Sequence, residues 1–352
     1  AQLNRQLDLS KRMKYHRRPL EWKHSLHWGQ LKLHLSEIEF LTIIMQEYNK
    51  AGDKRPITFV YVGAAPGQHN DALIDMFKDI SFELYDPNPF AVKPNSRRKI
   101  FQRFFVDQDA KQLAKRKNEY IVFCSDIRTE PASEENVQEN MDLQLRWWKL
   151  INPEWAMFKF RLKYAKFAGN KPIYTKTNYP NGQIYTQPFV GPTSTETRLI
   201  VKKNAPLIDY DDHAYEEACF YHQSISRTSK YFIELQGLDR QPTIPAQGFD
   251  QCFDCASMMH ILKEWGQLTG TRIDVEFINK FVGDVHPAAP NDLQVHPGKT
   301  MYSKTIEYTR EMLSHIRRRL FQPCGNMACK LCENQQYQMT KGKSKATNEA
   351  FN

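Results

Sequence analysis

The chain contains no apolar run long enough to cross a bilayer, and no charged-then-apolar leader precedes a small-residue cleavage site. Both absences lead to the expectation of a soluble, intracellular protein with no membrane partner. Two glycine-rich phosphate cradles are missing as well: no G-x-G-x-x-G opens a helix after a strand, and no G-x-x-x-x-G-K-[ST] follows one. That argues against NAD binding and against ATP hydrolysis. No internal repeat is present. Acidic residues are in deficit, 40 against 49 lysines and arginines, for a formal net charge of +9. Clustered cations gain affinity for phosphate by releasing its counterions, so a polyanionic partner is implied, and nucleic acid is the natural one.

Seven cysteines in an intracellular chain of 352 residues read as thiols or metal ligands rather than disulfides. Cys252 with Cys255, and Cys329 with Cys332, have the spacing of a four-cysteine zinc site. Against it, Cys255 leads into an apolar helical pattern of Met258, Met259, Ile261, Leu262 and Trp265, where small buried cysteines are common. No metal is therefore assigned.

A chain of this length with 41% hydrophobic content can bury a full α/β core with extensions. Residues 1–20 read as a basic arm without apolar periodicity, expected to be mobile until it meets RNA. Periodicity predicts a helix over 30–49, then strand 57–62, helix 68–78, strand 81–85, strand 101–106, helix 108–116, strand 120–125, helix 134–150 and strand 155–161. Strands 183–189 and 197–202 follow as an antiparallel pair. This order predicts an α/β fold: an open, mostly parallel Rossmann-like sheet with helices on both faces, ending as the methyltransferase variant does. The core is expected over 21–205. A helical C-terminal extension (213–223, 253–267, 303–320) packs on it over 206–333, and 334–352 has almost nothing to bury.

The segment from Phe59 to His69 runs a β-branched and aromatic strand into the small-residue turn Gly63-Ala64-Ala65-Pro66-Gly67. Gly63 and Gly67 are read as letting the backbone approach a ligand, with Pro66 stiffening the turn before a helix near His69. Downstream, Phe82-Glu83-Leu84-Tyr85-Asp86 ends a strand in a carboxylate, where Rossmann-like folds receive two ribose hydroxyls. With the phosphate cradles absent, the remaining common user of such a site is S-adenosylmethionine, which has no pyrophosphate to neutralise.

Methylating an alcohol requires a base for its proton and in-line placement of oxygen, methyl carbon and sulfur. A lysine serves only if its pKa falls by several units from about 10.4, through desolvation or a neighbouring cation. Four residues sit where α/β folds put active sites: Asp126 after the strand Ile121 to Ser125, Lys159 within Met157 to Arg161, Glu196 before the last strand, and Lys32 in the first helix. Each has a plainer reading: a strand-end cap, a snorkelling edge residue, a surface partner for Arg198, and a solvated helix face.

In this order on this fold, the four resemble the Lys-Asp-Lys-Glu tetrad of RNA ribose 2′-O-methyltransferases. Several segments narrow the resemblance to the poxvirus cap-specific mRNA 2′-O-methyltransferases, which also serve as the stimulatory subunit of the viral poly(A) polymerase. They are Gly29-Gln30-Leu31-Lys32-Leu33, Val60 to Gly67, Arg103 to Asp107, Ser125 to Arg128, Pro180-Asn181-Gly182, Gln187-Pro188-Phe189 and Ser194 to Leu199. The similarity runs over residues 25–220.

The resemblance implies methyl transfer to the 2′ oxygen of the first transcribed nucleotide of capped mRNA. Lys159 would be the base, tuned by Lys32, Asp126 and Glu196. Gln30, Tyr61, Gly63, Ala64, Pro66, Gly67, Asp86, Val106 and Asp126 fall where that family holds the cofactor. Tyr164 falls at its guanine-stacking position, with Arg161, Ser194, Thr195, Arg198 and Glu216 on the cap and RNA side. Tyr15 is the candidate for the opposite stacking face. Asn88 departs from a cofactor-contacting arginine, and Lys166 from an aspartate on the guanine edge, where a cation cannot accept hydrogen bonds. Implied partners are capped mRNA and a poly(A) polymerase catalytic subunit or other capping machinery, in host cytoplasm and the virion. A polymerase partner with methylation lost, and a non-cap RNA 2′-O-methyltransferase, are the competing readings.

Overall fold

The structure, a computed structural model, describes residues 1–15, 29–131, 133–191, 194–229, 231 and 253–283. The chain runs α1 (Gly29–Ala51), β1 (Ile57–Val62), α2 (Asn70–Met76), β2 (Ile80–Tyr85), β3 (Arg98–Phe101), α3 (Asp107–Ala114), β4 (Tyr120–Ser125), α4 (Glu134–Ile151) and β5 (Trp155–Phe160). After a hairpin of β6 (Lys166–Ala168) and β7 (Lys171–Ile173) come β8 (Lys176–Pro180), β9 (Gln183–Tyr185), β10 (Thr197–Lys202) and β11 (Leu207–Asp211). Three helices follow, α5 (Asp212–Ser224), α6 (Phe253–Thr269) and α7 (Val275–Gly283). One sheet takes the order β3-β2-β1-β4-β5-β10-β9. β1 to β5 pair in parallel, and β10 enters antiparallel to both β5 and β9.

Because strand side chains alternate between faces, Tyr61, Cys124, Met157 and Ile200 point to one side, packed with residues of α1, α2 and α6. Val60, Phe123, Phe158 and Leu199 point to the other, under α3, α4 and α5. α1 lies between the sheet and α6, so it is buried around much of its circumference, polar residues included. Its two buried glutamates are paired: Glu39 accepts from Arg5 at 2.8 and 2.9 Å, and Glu37 meets His69. Burial of Met258, Ile261, Leu262 and Trp265 at roughly 1.5–3 kcal/mol each holds α6 on this face. Trp265 Nε1 also donates to Met76 O at 3.0 Å.

Four expectations are corrected. The third strand lies at Arg98–Phe101 rather than 101–106. Asp109 accepts from Val106 N and Arg103, turning that segment into a helix start, and Phe105 packs on Tyr85, Phe123 and Trp147. The strand expected over 183–189 stops at Tyr185, since Pro188 has no N–H to give and Phe189 takes φ 59°. Residues 1–15 are packed rather than loose: Leu7 N donates to Ile184 O at 2.8 Å, Gln6 bridges Tyr185, and Arg5 is buried against Glu39, Thr186 and Ser257. The sheet pair β8–β11 crosses the boundary expected at 205. Residues 16–20, Cys252, Cys329, Cys332, the helix 303–320 and the tail lie outside the described residues.

Candidate active site

The strand register brings the expected residues together. Ser125 of β4 is level with Val62 of β1 and Phe158 of β5, which puts Asp126 level with Gly63 and Lys159. Lys159 in turn pairs directly with Arg198 of β10. A Cβ on Gly63, at φ 80°, would sit 2.7 Å from the Asp126 carbonyl. Glycine is therefore required here by the protein's own backbone rather than by a ligand. Gly67, at φ 66°, makes the second left-handed step of the turn.

The tetrad forms around a buried cation. Arg198 Nη1 lies 2.8 Å from Asp126 Oδ1 and Nη2 3.1 Å from Glu196 Oε1. Lys159 Nζ reaches the same Asp126 oxygen at 3.1 Å, and donates to the carbonyls of Ile127 (3.1 Å) and Asp126 (3.4 Å). Lys32 Nζ meets Glu196 Oε1 at 3.3 Å from the first turn of α1. Gln187, its amide turned to suit both neighbours, donates to Glu196 at 3.2 Å and accepts from Arg198 Nε at 2.7 Å.

Burial alone would raise both carboxylates. Lys159 and Arg198 instead hold Asp126 below the usual range, and Lys32, Arg198 and Lys159 hold Glu196 well below it. Burial pushes the Lys32 ammonium down against the pull of Glu196, and Arg198 adds to the depression. Tyr61 is pushed well up by burial, with Glu37 and Asp126 adding. Arg198, expected on the RNA side, is 2% exposed with its guanidinium engaged by two carboxylates, which makes it a positioning residue and corrects that expectation.

At the turn after β1, Asp86 accepts from Ala65 N (3.1 Å) and Asn88 N (2.9 Å), tying the turn to β2 while each oxygen keeps acceptor capacity. Gln30 Oε1 accepts from His69 N (3.2 Å) and lies 2.7 Å from His69 Nδ1, and His69 Nε2 lies 2.5 Å from Glu37 Oε2. Those contacts fix the Gln30 amide with its nitrogen turned away from His69. Val106, 48% exposed, presents an apolar side chain at the start of α3. Ala64 and Pro66 belong to the same turn, and the Ala65–Pro66 peptide is cis.

Beside the tetrad opens a cleft of about 330 Å³ lined by Lys159, Arg161, Tyr164, Ser194, Thr195, Glu196 and residues of α4. Arg161 stacks its guanidinium 4.2 Å over Tyr164 and pairs with Glu134. Tyr164 is 43% exposed. Glu216 Oε2 accepts from Ala165 N at 2.7 Å, and burial raises its carboxyl. Tyr215 donates to Thr195 O and Gln223 to Ser194 O, so α5 holds the loop that delivers Glu196. Tyr15 packs edge-on against Phe220 of α5 and is not among the cleft residues. Lys166 is exposed at the start of β6. Cys255 is buried in the core beside α1. Among the described residues no cluster suits a metal ion, and no helix is long and apolar enough to cross a membrane.

Sequence reasoning missed Glu134, the Glu37–His69 pair and the bridging role of Arg198. Only the last had a signal: Arg198 follows Glu196 by two, the strand spacing that shares a face.

A sheet of this order, with an antiparallel strand entering beside β5 and an acid closing β2, is a Rossmann-like methyltransferase fold. The chain belongs to the family described as poly A polymerase regulatory subunit, which matches residues 5–265. A fowlpox virus protein named cap-specific mRNA (nucleoside-2′-O-)-methyltransferase is 31% identical over 214 residues, 55% of this chain and 66% of that protein. A myxoma virus (strain Lausanne) protein of the same name is 27% identical over 253 residues, 67% of this chain and 69% of that protein. The chain thus spans about two thirds of the length of these curated relatives. A ribosomal RNA methyltransferase structure from Plasmodium falciparum aligns with TM-score 0.28 and 12% identity over 46% of this chain and 94% of that one, too distant to bear on the site.

Proposed function

We propose that this protein transfers methyl from S-adenosylmethionine to the ribose 2′-hydroxyl of the first transcribed nucleotide of capped mRNA. The observation that carries the reading is the tetrad itself, drawn from α1, β4, β5 and β10 to one end of the sheet beside an open cleft. The names of its poxvirus relatives agree with it.

The residues present suit the donor: Asp86 has acceptor capacity for ribose hydroxyls, Val106 an exposed apolar face for a purine, and Gln30 an amide nitrogen for a carboxylate. Bound S-adenosylmethionine would supply a methyl made electrophilic by its sulfonium. Lys159 Nζ, at the cleft wall, takes the hydroxyl proton. Asp126 and the two carbonyls beside it orient Nζ and hold the ammonium that results. Arg198 draws on the same Asp126 oxygen, dividing that carboxylate's charge between two cations. Lys32 and Glu196 close the other side. Arg161 covers one face of Tyr164, leaving the second for the methylated guanine, whose charge favours a π face. Glu216 keeps one oxygen for the guanine edge.

The family's description supports a second role, as stimulatory subunit of a poly(A) polymerase. Transfer of labelled methyl to RNA with an N7-methylated cap, beside the same RNA uncapped, tests the first role. Cap-dependent transfer that disappears in Lys159→Ala is expected. Equal transfer to both RNAs refutes cap specificity, and no transfer to either leaves the polymerase role as the better reading.

A further inference from the structure

We propose that the β6–β7 hairpin is an RNA-holding surface that grips the chain downstream of the nucleotide in the cleft. Between Glu154 and Glu196 the sequence has no acidic residue, while Lys163, Lys166, Lys171 and Lys176 fall within it. None of the four lysines forms an ion pair among the described residues. Four of the seven large apolar side chains left in water among the described residues gather here too: Tyr164 (43%), Phe167 (56%), Ile173 (45%) and Tyr174 (70%). A solvated cationic tip would not need them.

The base of the hairpin is pinned, and among the described residues its tip is not. Acids bind the chain that flanks the hairpin: Glu134 accepts from Tyr164 N at 3.3 Å, Glu216 holds Ala165 N, Asp212 accepts from Thr175 and Thr177 at 2.6 and 2.7 Å, and Asp209 accepts from Asn178 at 3.0 Å. Tyr174 rests edge-on against His213. The tip therefore keeps its positive charge on a fixed platform. It emerges two residues after Tyr164, which lines the cleft with Lys159. Lysines interleaved with exposed aromatics suit a single strand, where phosphates meet cations and bases stack without sequence preference. The inference rests on the proposed function only for where the first nucleotide lies.

The test uses the full chain carrying Phe167→Ser with Lys171→Ser, checked for unaltered melting. Capped RNA of about 20 nucleotides, longer than a single-strand site, should bind at least about fivefold more weakly by fluorescence anisotropy. The slope of log Kd against log salt should shrink by about 0.7 for the lysine removed. KM for a capped dinucleotide should stay unchanged, and Lys171→Glu should weaken long RNA further than Lys171→Ser. Unchanged long-RNA affinity, or equal loss on the dinucleotide, overturns the proposal. So does loss of binding to a poly(A) polymerase catalytic subunit with RNA affinity intact, which would make this a protein surface. Hairpin-dependent RNA binding by a protein that transfers no methyl would sink the proposed function and leave this inference standing.

Discussion

Replacing Arg198 with alanine removes the cation shared by two buried carboxylates, and its cost follows from the geometry. The side chain is 3% exposed and lies 2.8 Å from Asp126 and 3.1 Å from Glu196. Stripping one partner from a buried pair costs about 3–5 kcal/mol, because the remaining charge has lost both water and its counterion. Lys159 and Lys32 stay as partial partners, so the lower end, about 3 kcal/mol, is expected near neutral pH. Arg198→Lys should restore little of it, since an ammonium cannot span both carboxylates and the Gln187 amide.

The pH dependence gives a second handle. Both carboxylates have folded pKa values below their ordinary ones, 3.8 for Asp126 and 4.5 for Glu196. Their ionised forms therefore stabilise the fold fully above about pH 4.5, and that stability is lost as pH falls through the folded values. Without Arg198 both pKa values rise, less of this stability exists to be lost, and the gap between the proteins should narrow with acid. Urea unfolding near neutral pH and at about pH 4 measures it. A neutral gap under about 1 kcal/mol, the size of an exposed pair, or a gap that widens with acid, refutes the reasoning.

Asp254→Ala should cost about 3–5 kcal/mol in chemical unfolding, because Arg227 and Asp254 are paired at 2.6 Å with side chains 0% and 1% exposed; a loss of a few tenths would contradict this. His69→Ala should raise KM and Kd for S-adenosylmethionine about tenfold by freeing the Gln30 amide, with kcat nearly unchanged and partial rescue by His69→Asn. Unaltered donor affinity by titration calorimetry would count against that positioning role. His34 and His222 are held neutral by burial, well below 6.5, whereas the unfolded chain takes up protons below that pH. Stability should thus fall on acidification by up to about 1.4 kcal/mol per pH unit per histidine, and His34→Phe, stacked on Phe281, should reduce the slope by one proton.

What could be read from the sequence was what local periodicity encodes. β1, β4 and β5 stand where alternation put them, within a residue, because each is a buried apolar run bounded by turn residues. The third strand was misplaced because Phe104 and Phe105 look like strand residues while Asp109 commands the backbone around them. The two-residue turn of the β6–β7 hairpin and the β8–β11 pair are not legible because their strands are short and largely exposed. The Glu37–His69 contact had no signal, since nothing local links positions 32 residues apart. The packing of the first segment is illegible for a related reason: Arg5 looks like a solvated charge until Glu39 of α1 is brought beside it.

The geometry of the candidate site reduces to parity and register. Tyr61, Cys124, Met157 and Ile200 face α1, so two steps further along their strands, or two steps back for the antiparallel β10, lie Gly63, Asp126, Lys159 and Arg198. Every charged group of the site therefore emerges on the α1 face, where Lys32 descends to meet Glu196. A slip of one residue between β5 and β10 would send Arg198 to the opposite face and strand two buried carboxylates. The register is pinned where the chain turns into β9: Gly182 approaches so closely that a Cβ would lie 2.4 Å from Ile200 O. The loop from β9 back to β10 is held in turn by Phe189 at φ 59° and by α5 through Tyr215 and Gln223. Such a backbone value at a bulky residue is costly, and it persists where the surrounding packing over-determines it. Gln187 and Glu196 both sit on this loop, so the strain falls on the segment that delivers two ligands to Arg198, and the rigid sheet supplies the rest.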